Sequence, residues 1–218
     1  MNAPACLAQW PKTVSRQVMT ALFMPAADLH PEQARRLVPR ALWALPAAEV
    51  SRGLEPVLRQ WPEELDGQRL EHRLALLPRS VLEAIAWNLG LLTGAAKLRK
   101  RVLRSELQIL AENGLTEADW RWVHEAPRQS WPAIELPEGD CSQWPQRLRQ
   151  AGARALLALT APLGDILGTR LAWKLPPDES AAEHAPPTAM LQFAYTPVVQ
   201  RWSAHWDDCL AQLSDRSR

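Results

Sequence analysis

The chain has 218 residues, of which 47% are hydrophobic, and its 25 Lys and Arg residues nearly balance its 24 Asp and Glu residues. This composition excludes an intrinsically disordered chain and is sufficient for a sizeable core. A net charge of +1 argues against a dedicated nucleic-acid-binding protein, because such proteins are usually strongly basic. The three cysteines are far apart, which favours a reducing compartment over a disulfide framework.

The residue types predict an all-α fold built as a single compact multi-helix domain. Leu, Ala, Arg, Glu and Gln are abundant, whereas β-branched residues are sparse. At most one minor short strand pair is expected, near the segment RLAWKL at residues 170–175. No apolar run reaches the roughly 18 residues of a transmembrane helix, so we predict a cytoplasmic protein without a membrane span.

The N-terminal part is predicted to begin with a leader. Residues 1–18 show no clear periodicity and are expected to be flexible, before a helical domain at residues 19–214; Met19 is an alternative start. A helix is predicted from Pro31, because proline suits the first helical position. Pro39 is expected to kink or split this helix, and another helical stretch is predicted from about residue 46.

The central part contains the strongest pattern. After Pro78, apolar residues recur at helical spacing and predict a core helix, namely Val81, Leu82, Ile85, Leu89 and Leu92. The basic segment after it is predicted to be helical until Asn113 and Gly114 stop it. Thr116 and Asp119 then have the spacing of a capping box.

The C-terminal part is predicted to hold three further elements and a loop. Ser142 is the expected cap of an amphipathic helix. An apolar segment follows at residues 162–175, and residues 177–188 form a loop rich in proline and acidic residues. The last helix is predicted from about Pro197 to Leu213.

The basic segment is the candidate partner-binding surface. As one continuous helix, it would gather four cations within about one third of the helix circumference, namely Lys97, Lys100, Arg101 and Arg104. The simplest interpretation is a solvated helix surface. The alternatives are binding to an acidic protein, to an anionic membrane surface or to nucleic acid, and the balanced net charge counts against the last.

Arg99 falls among apolar positions on the same helical wheel, as does Glu106. A charged group on a core face needs a partner, because an unpaired buried charge is costly. We therefore expect Arg99 either to extend its charged end toward solvent or to form an internal ion pair, for which Glu106 is the candidate, and we predict an acidic or carbonyl partner for it.

No motif of a known catalytic or cofactor site is present. The sequence has no P-loop, no dinucleotide-binding glycine pattern, no serine-hydrolase elbow and no C-x-x-C pair. His205 and Cys209 could share a helix face, but two ligands do not complete a zinc site. We predict no catalytic residues, no metal and no cofactor, and hence a protein that is not an enzyme.

Three segments resemble the K subunit of bacterial type III secretion systems, the SctK/YscK/PscK family. The segment MPAADLHPEQ, residues 24–33, is similar to the opening of that family, and RLAWKLP, residues 170–176, is similar in outline. The densest similarity comprises Leu89, Gly90, Leu91, Leu98, Arg99, Lys100, Val102, Leu103, Ser105, Leu107, Gln108 and Leu110. The resemblance covers about residues 20–210.

The resemblance implies a non-catalytic adaptor in the cytosolic sorting platform, peripheral to the inner membrane when assembled. Its expected partners are the cytosolic domain of the inner-membrane ring protein (D subunit) and the pod protein (Q subunit). Through the Q subunit it would connect to the stator (L subunit) and the ATPase (N subunit). The alternative function is a nucleic-acid-binding or regulatory helical protein that uses the basic segment at residues 97–104.

Overall fold

The computed structural model describes residues 5–38, 40–53, 65–100, 104–128, 131–137, 141–177 and 185–214. Within these ranges the protein has eleven α-helices and no strand, which confirms the all-α prediction. The helices are α1 (Lys12–Phe23), α2 (Pro31–Leu37), α3 (Ala47–Gly53), α4 (Leu70–Leu76), α5 (Arg79–Leu98), α6 (Arg104–Glu112), α7 (Glu117–Glu125), α8 (Trp144–Leu157), α9 (Gly164–Lys174), α10 (Thr188–Trp202) and α11 (Trp206–Ser214).

Within this all-α fold the chain divides into two compact units. Unit 1 comprises Met1–Glu83, Leu159–Glu179 and Thr196–Arg218, and unit 2 comprises Ala84–Ala158 and Ser180–Tyr195. Short 3₁₀ helices complete the described elements, at Ala5–Gln9, Pro25–Asp28, Arg40–Leu42, Cys141–Gln143 and Ala161–Leu163.

The predicted flexible leader is wrong for the part of it that the structure describes. Helix α1 starts at Lys12, and its buried side chains recur at helical spacing, namely Val14, Val18, Ala21 and Leu22. Before it, Trp10 is only 6% exposed, and its indole N–H donates to Oε1 of Gln212 at 3.0 Å. Pro11 is the N-cap residue that precedes the helix.

Two buried cations lie on α9 within unit 1, and this segment is helical and not a strand. The ammonium of Lys174 donates to the carbonyls of Ala75 at 2.9 Å and Leu77 at 2.7 Å, at the end of α4. Its Nζ lies 3.9 Å from Oδ2 of Asp28. One turn earlier, Nη2 of Arg170 donates to the carbonyl of Leu22 at 3.0 Å. These bonds connect α9 to α1 and α4.

Burial lowers the pKa of Lys174 to about 8, although the nearby Asp28 carboxylate opposes the shift. The unfolded chain therefore keeps the proton on Lys174 at pH values where the folded protein has lost it. Stability then rises with pH between about 8 and about 10.4, the ordinary lysine pKa.

We predict that Lys174→Met removes this part of the pH dependence of stability. The wild-type free energy of unfolding should gain about 3 kcal/mol from Lys174 between pH 8 and pH 10.4, and the variant should lack that gain. Urea unfolding across this pH range measures the difference, with Lys100→Met, at an exposed lysine, as the control. Parallel pH profiles for the wild type and Lys174→Met would contradict the prediction.

In unit 2, helices α5 and α8 approach until their backbones touch. A Cβ atom on Gly90 would lie 2.0 Å from the carbonyl oxygen of Leu148, and one on Gly152 would lie 1.7 Å from that of Ala86. Both glycines are therefore required for this crossing. A Cβ atom on Gly94 would instead meet only side-chain atoms, 2.4 Å from Cδ2 of Leu148.

The predicted signals at the ends of α6 and α7 are confirmed. Gly114 has φ 93° and follows α6, where the amide of Leu115 donates to the carbonyl of Leu110 at 2.9 Å. This arrangement is a Schellman motif, which satisfies carbonyls at the helix end. Thr116 and Asp119 form the capping box of α7.

Two other predicted helix starts are wrong. Ser142 lies in a 3₁₀ helix, and α8 begins at Trp144 after Gln143, which makes no side-chain cap. Helix α10 runs through Pro197, and α11 starts separately at Trp206, so Pro197 does not begin the last helix. Burial of the apolar face of α10 stabilises the helix across the proline, through Leu191, Ala194, Tyr195 and Val199. Pro39 and most of the predicted 177–188 loop lie outside the described residues.

Candidate functional site

The basic segment is not one continuous helix. Helix α5 ends at Leu98, Arg99 and Lys100 form a turn, and α6 begins at Arg104. In the turn, the amide of Lys100 donates to the carbonyl of Lys97 at 3.1 Å. The four cations therefore do not lie on one face of a single helix. Arg101 lies outside the described residues, and the side chain of Arg104 is not described.

Arg99 joins the end of α5 to the end of α7. Its Nε and Nη2 donate to the carbonyl of Val123 at 3.0 and 2.8 Å. Nη2 also donates to the carbonyls of Ala126 at 2.7 Å and Pro127 at 3.4 Å. The predicted carbonyl partner is thus present. We call this arrangement the Arg99 clasp.

The proline after α7 explains why these carbonyls need a donor. In a longer helix, the carbonyl of Val123 would accept from the amide of residue 127, but Pro127 has no N–H. Proline also disfavours a helical conformation for Ala126, which has φ −60° and ψ 147°. A guanidinium supplies the missing donors, and its charge suits the negative end of the helix dipole.

Glu106 is not among the partners described for Arg99. It lies on α6 and is partly buried, and its backbone carbonyl is 3.8 Å from Sγ of Cys141. The break in the helix after Leu98 removes the shared face that suggested the ion pair. The structure therefore gives Arg99 backbone carbonyls as partners, in place of the predicted internal ion pair.

We predict that Arg99→Ala lowers the free energy of unfolding by about 2 kcal/mol, since hydrogen bonds made by charged groups contribute roughly 1.5–3 kcal/mol. Urea unfolding followed by circular dichroism measures this loss. Lys100→Ala, at the next and exposed position, is the matched control and should stay within about 0.5 kcal/mol of the wild type. Equal, small losses for both variants would mean that Arg99 is merely solvated.

A basic groove lies beside the clasp in unit 2. It has a volume of about 620 Å³ and is lined by Thr93, Ala96, Lys97, Lys100, Ile134, Glu135, Leu136, Pro137 and Arg147. The lining therefore contains three cationic residues, Lys97, Lys100 and Arg147, and one carboxylate, Glu135. Lys100, Arg147 and Glu135 are exposed, and no salt bridge joins them in the described part of the chain. The groove has a net positive charge that is open to a partner.

A segment without regular secondary structure, residues 131–137, forms one wall of the basic groove. The amide of Ile134 donates to the carbonyl of Thr93 on α5 at 3.2 Å. At the last residue of the segment, the carbonyl of Pro137 accepts a hydrogen bond from the indole N–H of the buried Trp144 at 3.0 Å. These two bonds fix the segment against α5 and α8.

Trp144, at the start of α8, contacts one of the lysines. Nζ of Lys97 lies 5.9 Å from the ring centroid of Trp144, within the range of a cation–π contact. A second cavity of about 320 Å³ shares Thr93, Ile134, Glu135 and Arg147 with the groove and adds Gln150 and Arg154. The positive surface thus extends along α8.

The structure therefore brings together only part of the predicted site. Lys97 and Lys100 both line the basic groove, whereas Arg99 forms the hydrogen bonds of the clasp. Sequence reasoning missed Arg147 and Glu135, because no local pattern relates them to residues of α5. The hydrophobic period of α8 could have placed Arg147 on its exposed face, but not beside Lys100.

In the part of the chain that the structure describes, no group of three or more His, Cys, Asp or Glu residues could hold a metal ion. One described helix, α5, is long and apolar enough for a membrane span, with 20 residues and a mean hydropathy of 1.2. Within its most apolar window, 67% is buried inside the protein, as in the core helix of a globular unit.

Comparison of the chain with family models, with curated proteins and with solved structures gives no match.

Proposed function

We propose that the protein is a non-catalytic adaptor of a type III secretion sorting platform. It would connect the cytosolic domain of the D subunit to the Q subunit, and through the latter to the stator and the ATPase. The observation that carries this proposal is the similarity to the K-subunit family in residues 89–110.

The residues of that similarity contribute to the packing of unit 2, which supports the proposal. Leu89, Leu91, Leu98 and Leu110 are completely buried. Gly90 permits the close crossing of α5 and α8, and Arg99 makes the clasp. A similarity in residues that determine packing is more informative than one in surface composition, because packing residues specify how the helices assemble.

The basic groove is the surface that we assign to partner binding. Exposed charges on such a surface steer a partner of opposite charge and contribute to specificity. An acidic surface of a platform protein fits this groove, since Lys100 and Arg147 have no acidic partner within the described residues. Contacts of this kind weaken with salt, because charges are screened over about 10 Å at 0.1 M ionic strength.

We predict that Lys100→Glu combined with Arg147→Glu weakens binding to one platform partner by about tenfold or more while the fold is preserved, because both positions are exposed. The assay is co-purification with the D-subunit cytosolic domain and the Q subunit, singly and together, followed by titration at low and high salt. Arg69→Glu combined with Arg201→Glu makes the same change in net charge at exposed positions outside the groove and is the control.

Failure of the wild type to bind either partner would contradict the proposed function. Normal binding by the groove variant would contradict only the assignment of the groove. DNA binding by the same purified protein tests the nucleic-acid alternative. The adaptor proposal expects DNA binding no tighter than the non-specific level, on the order of 10⁻⁴ to 10⁻⁶ M, and a much tighter complex would favour the alternative.

A further inference from the structure

An apolar groove in unit 1 has no role in the proposed function. It has a volume of about 340 Å³ and lies between the 3₁₀ helix at Pro25–Asp28, α2, the turn after α2 and α3. Its lining is apolar except for Arg35 and consists of Ala26, Leu29, Pro31, Ala34, Arg35, Val38, Trp43, Leu45, Ala47 and Val50.

The rim of this groove is unusually rich in exposed hydrophobic side chains. The described chain has five large hydrophobic residues that are clearly exposed, and three of them lie within residues 37–45. Trp43 is 49% exposed, Leu45 is 40% exposed and Leu37 is 36% exposed. An exposed apolar cluster with a polar rim marks an interaction site more often than a single exposed residue does.

The groove is preformed. A small cluster of Leu29, Val38 and Val50 forms its buried floor, with Trp173 packed against it. The indole N–H of Trp43 donates to the carbonyl of Val38 at 2.9 Å, which fixes the ring at the rim. A fixed aromatic side chain binds with a small loss of conformational entropy, as at many interface hot spots.

The charge at the rim of the groove indicates which charge a partner should carry. Arg35 is part of the lining, Arg36 is exposed beside it, and the guanidinium carbon of Arg40 lies 6.0 Å from the ring centroid of Trp43. Glu32 and Glu49 are also exposed and, like Arg36 and Arg40, lie outside the lining, so Arg35 is the charged residue of the lining itself. The cavity edge therefore presents positive charge next to apolar surface.

We propose that the apolar groove binds an amphipathic helix of a partner protein, with apolar side chains in the cavity and carboxylates facing Arg35 and Arg40. The lining offers no set of convergent polar groups that would orient a small polar ligand. Recognition by strand addition needs a sheet edge, and the described residues contain no strand. Recognition of a helix in a groove needs what is present here, an apolar cavity with a charged rim.

The test uses two fluorescein-labelled helical peptides with leucines at positions i, i+3, i+4 and i+7. One peptide carries Glu beside the apolar stripe, and the other carries Lys at the same positions. Fluorescence anisotropy of the full chain should give a dissociation constant on the order of micromolar for the Glu peptide and binding at least about tenfold weaker for the Lys peptide.

Substitutions in the apolar groove test whether the Glu peptide binds there. Trp43→Ser and, separately, Leu45→Ser should each weaken binding of the Glu peptide by about tenfold, which is the usual effect of removing a hot-spot side chain. Leu107→Ser, at a residue that is 39% exposed and lies outside the groove, is the control and should change binding by less than about twofold. Arg35→Glu combined with Arg40→Glu should reverse the preference, so that the Lys peptide binds more tightly.

This proposal does not depend on the secretion adaptor function, and different results would contradict each of the two. Failure of both peptides to bind would overturn it, as would equal effects of Trp43→Ser and Leu107→Ser. An unchanged preference after the arginine reversal would also overturn it. Sedimentation tests a second copy of the chain as occupant, and a dimer that Trp43→Ser converts to a monomer would replace the proposed partner. Circular dichroism of each variant confirms that the comparison concerns folded protein.

Discussion

The packing of unit 2 depends on a proline that leaves a helix end without a donor. Pro127 cannot supply the amide that the carbonyl of Val123 would otherwise accept, and it keeps Ala126 extended. Arg99 supplies the donors from the end of α5. Arg99 lies in the turn that follows Leu98, and its bonds hold the end of α5 against the end of α7.

This constraint also accounts for the position of the basic groove. Lys97 lies in the last turn of α5 and Lys100 in the turn that follows, next to the segment at residues 131–137. That segment is held by the bond from Ile134 to Thr93 and by the bond from Trp144 to Pro137. The crossing at Gly90 and Gly152 then brings α8, with Arg147, to the same groove. The cations are thus grouped by tertiary contacts rather than by a single helical face.

The sequence predicts the features that depend on local physics. The apolar period of α5, the capping box at Thr116 and the left-handed Gly114 are each encoded within a few residues, and all are present. The end of α5 could not be predicted, because Leu98 is followed by no glycine, proline or capping residue. The acceptors for Arg99 begin 24 residues later in the chain, so no local pattern reveals them. The predicted flexible leader is the converse case, because part of it forms α1 from Lys12, directly after the N-cap Pro11.

The central claim is that Arg99 substitutes for the amide that Pro127 lacks, and a double-mutant cycle tests it most directly. Pro127→Ala restores an amide at residue 127 and allows Ala126 to become helical. The measurement is the free energy of unfolding for the wild type, Arg99→Ala, Pro127→Ala and the double variant. The account predicts that Arg99→Ala costs about 1 kcal/mol less when Pro127 is replaced, because the carbonyl of Val123 then has another donor. Additive losses, within about 0.3 kcal/mol, would contradict it.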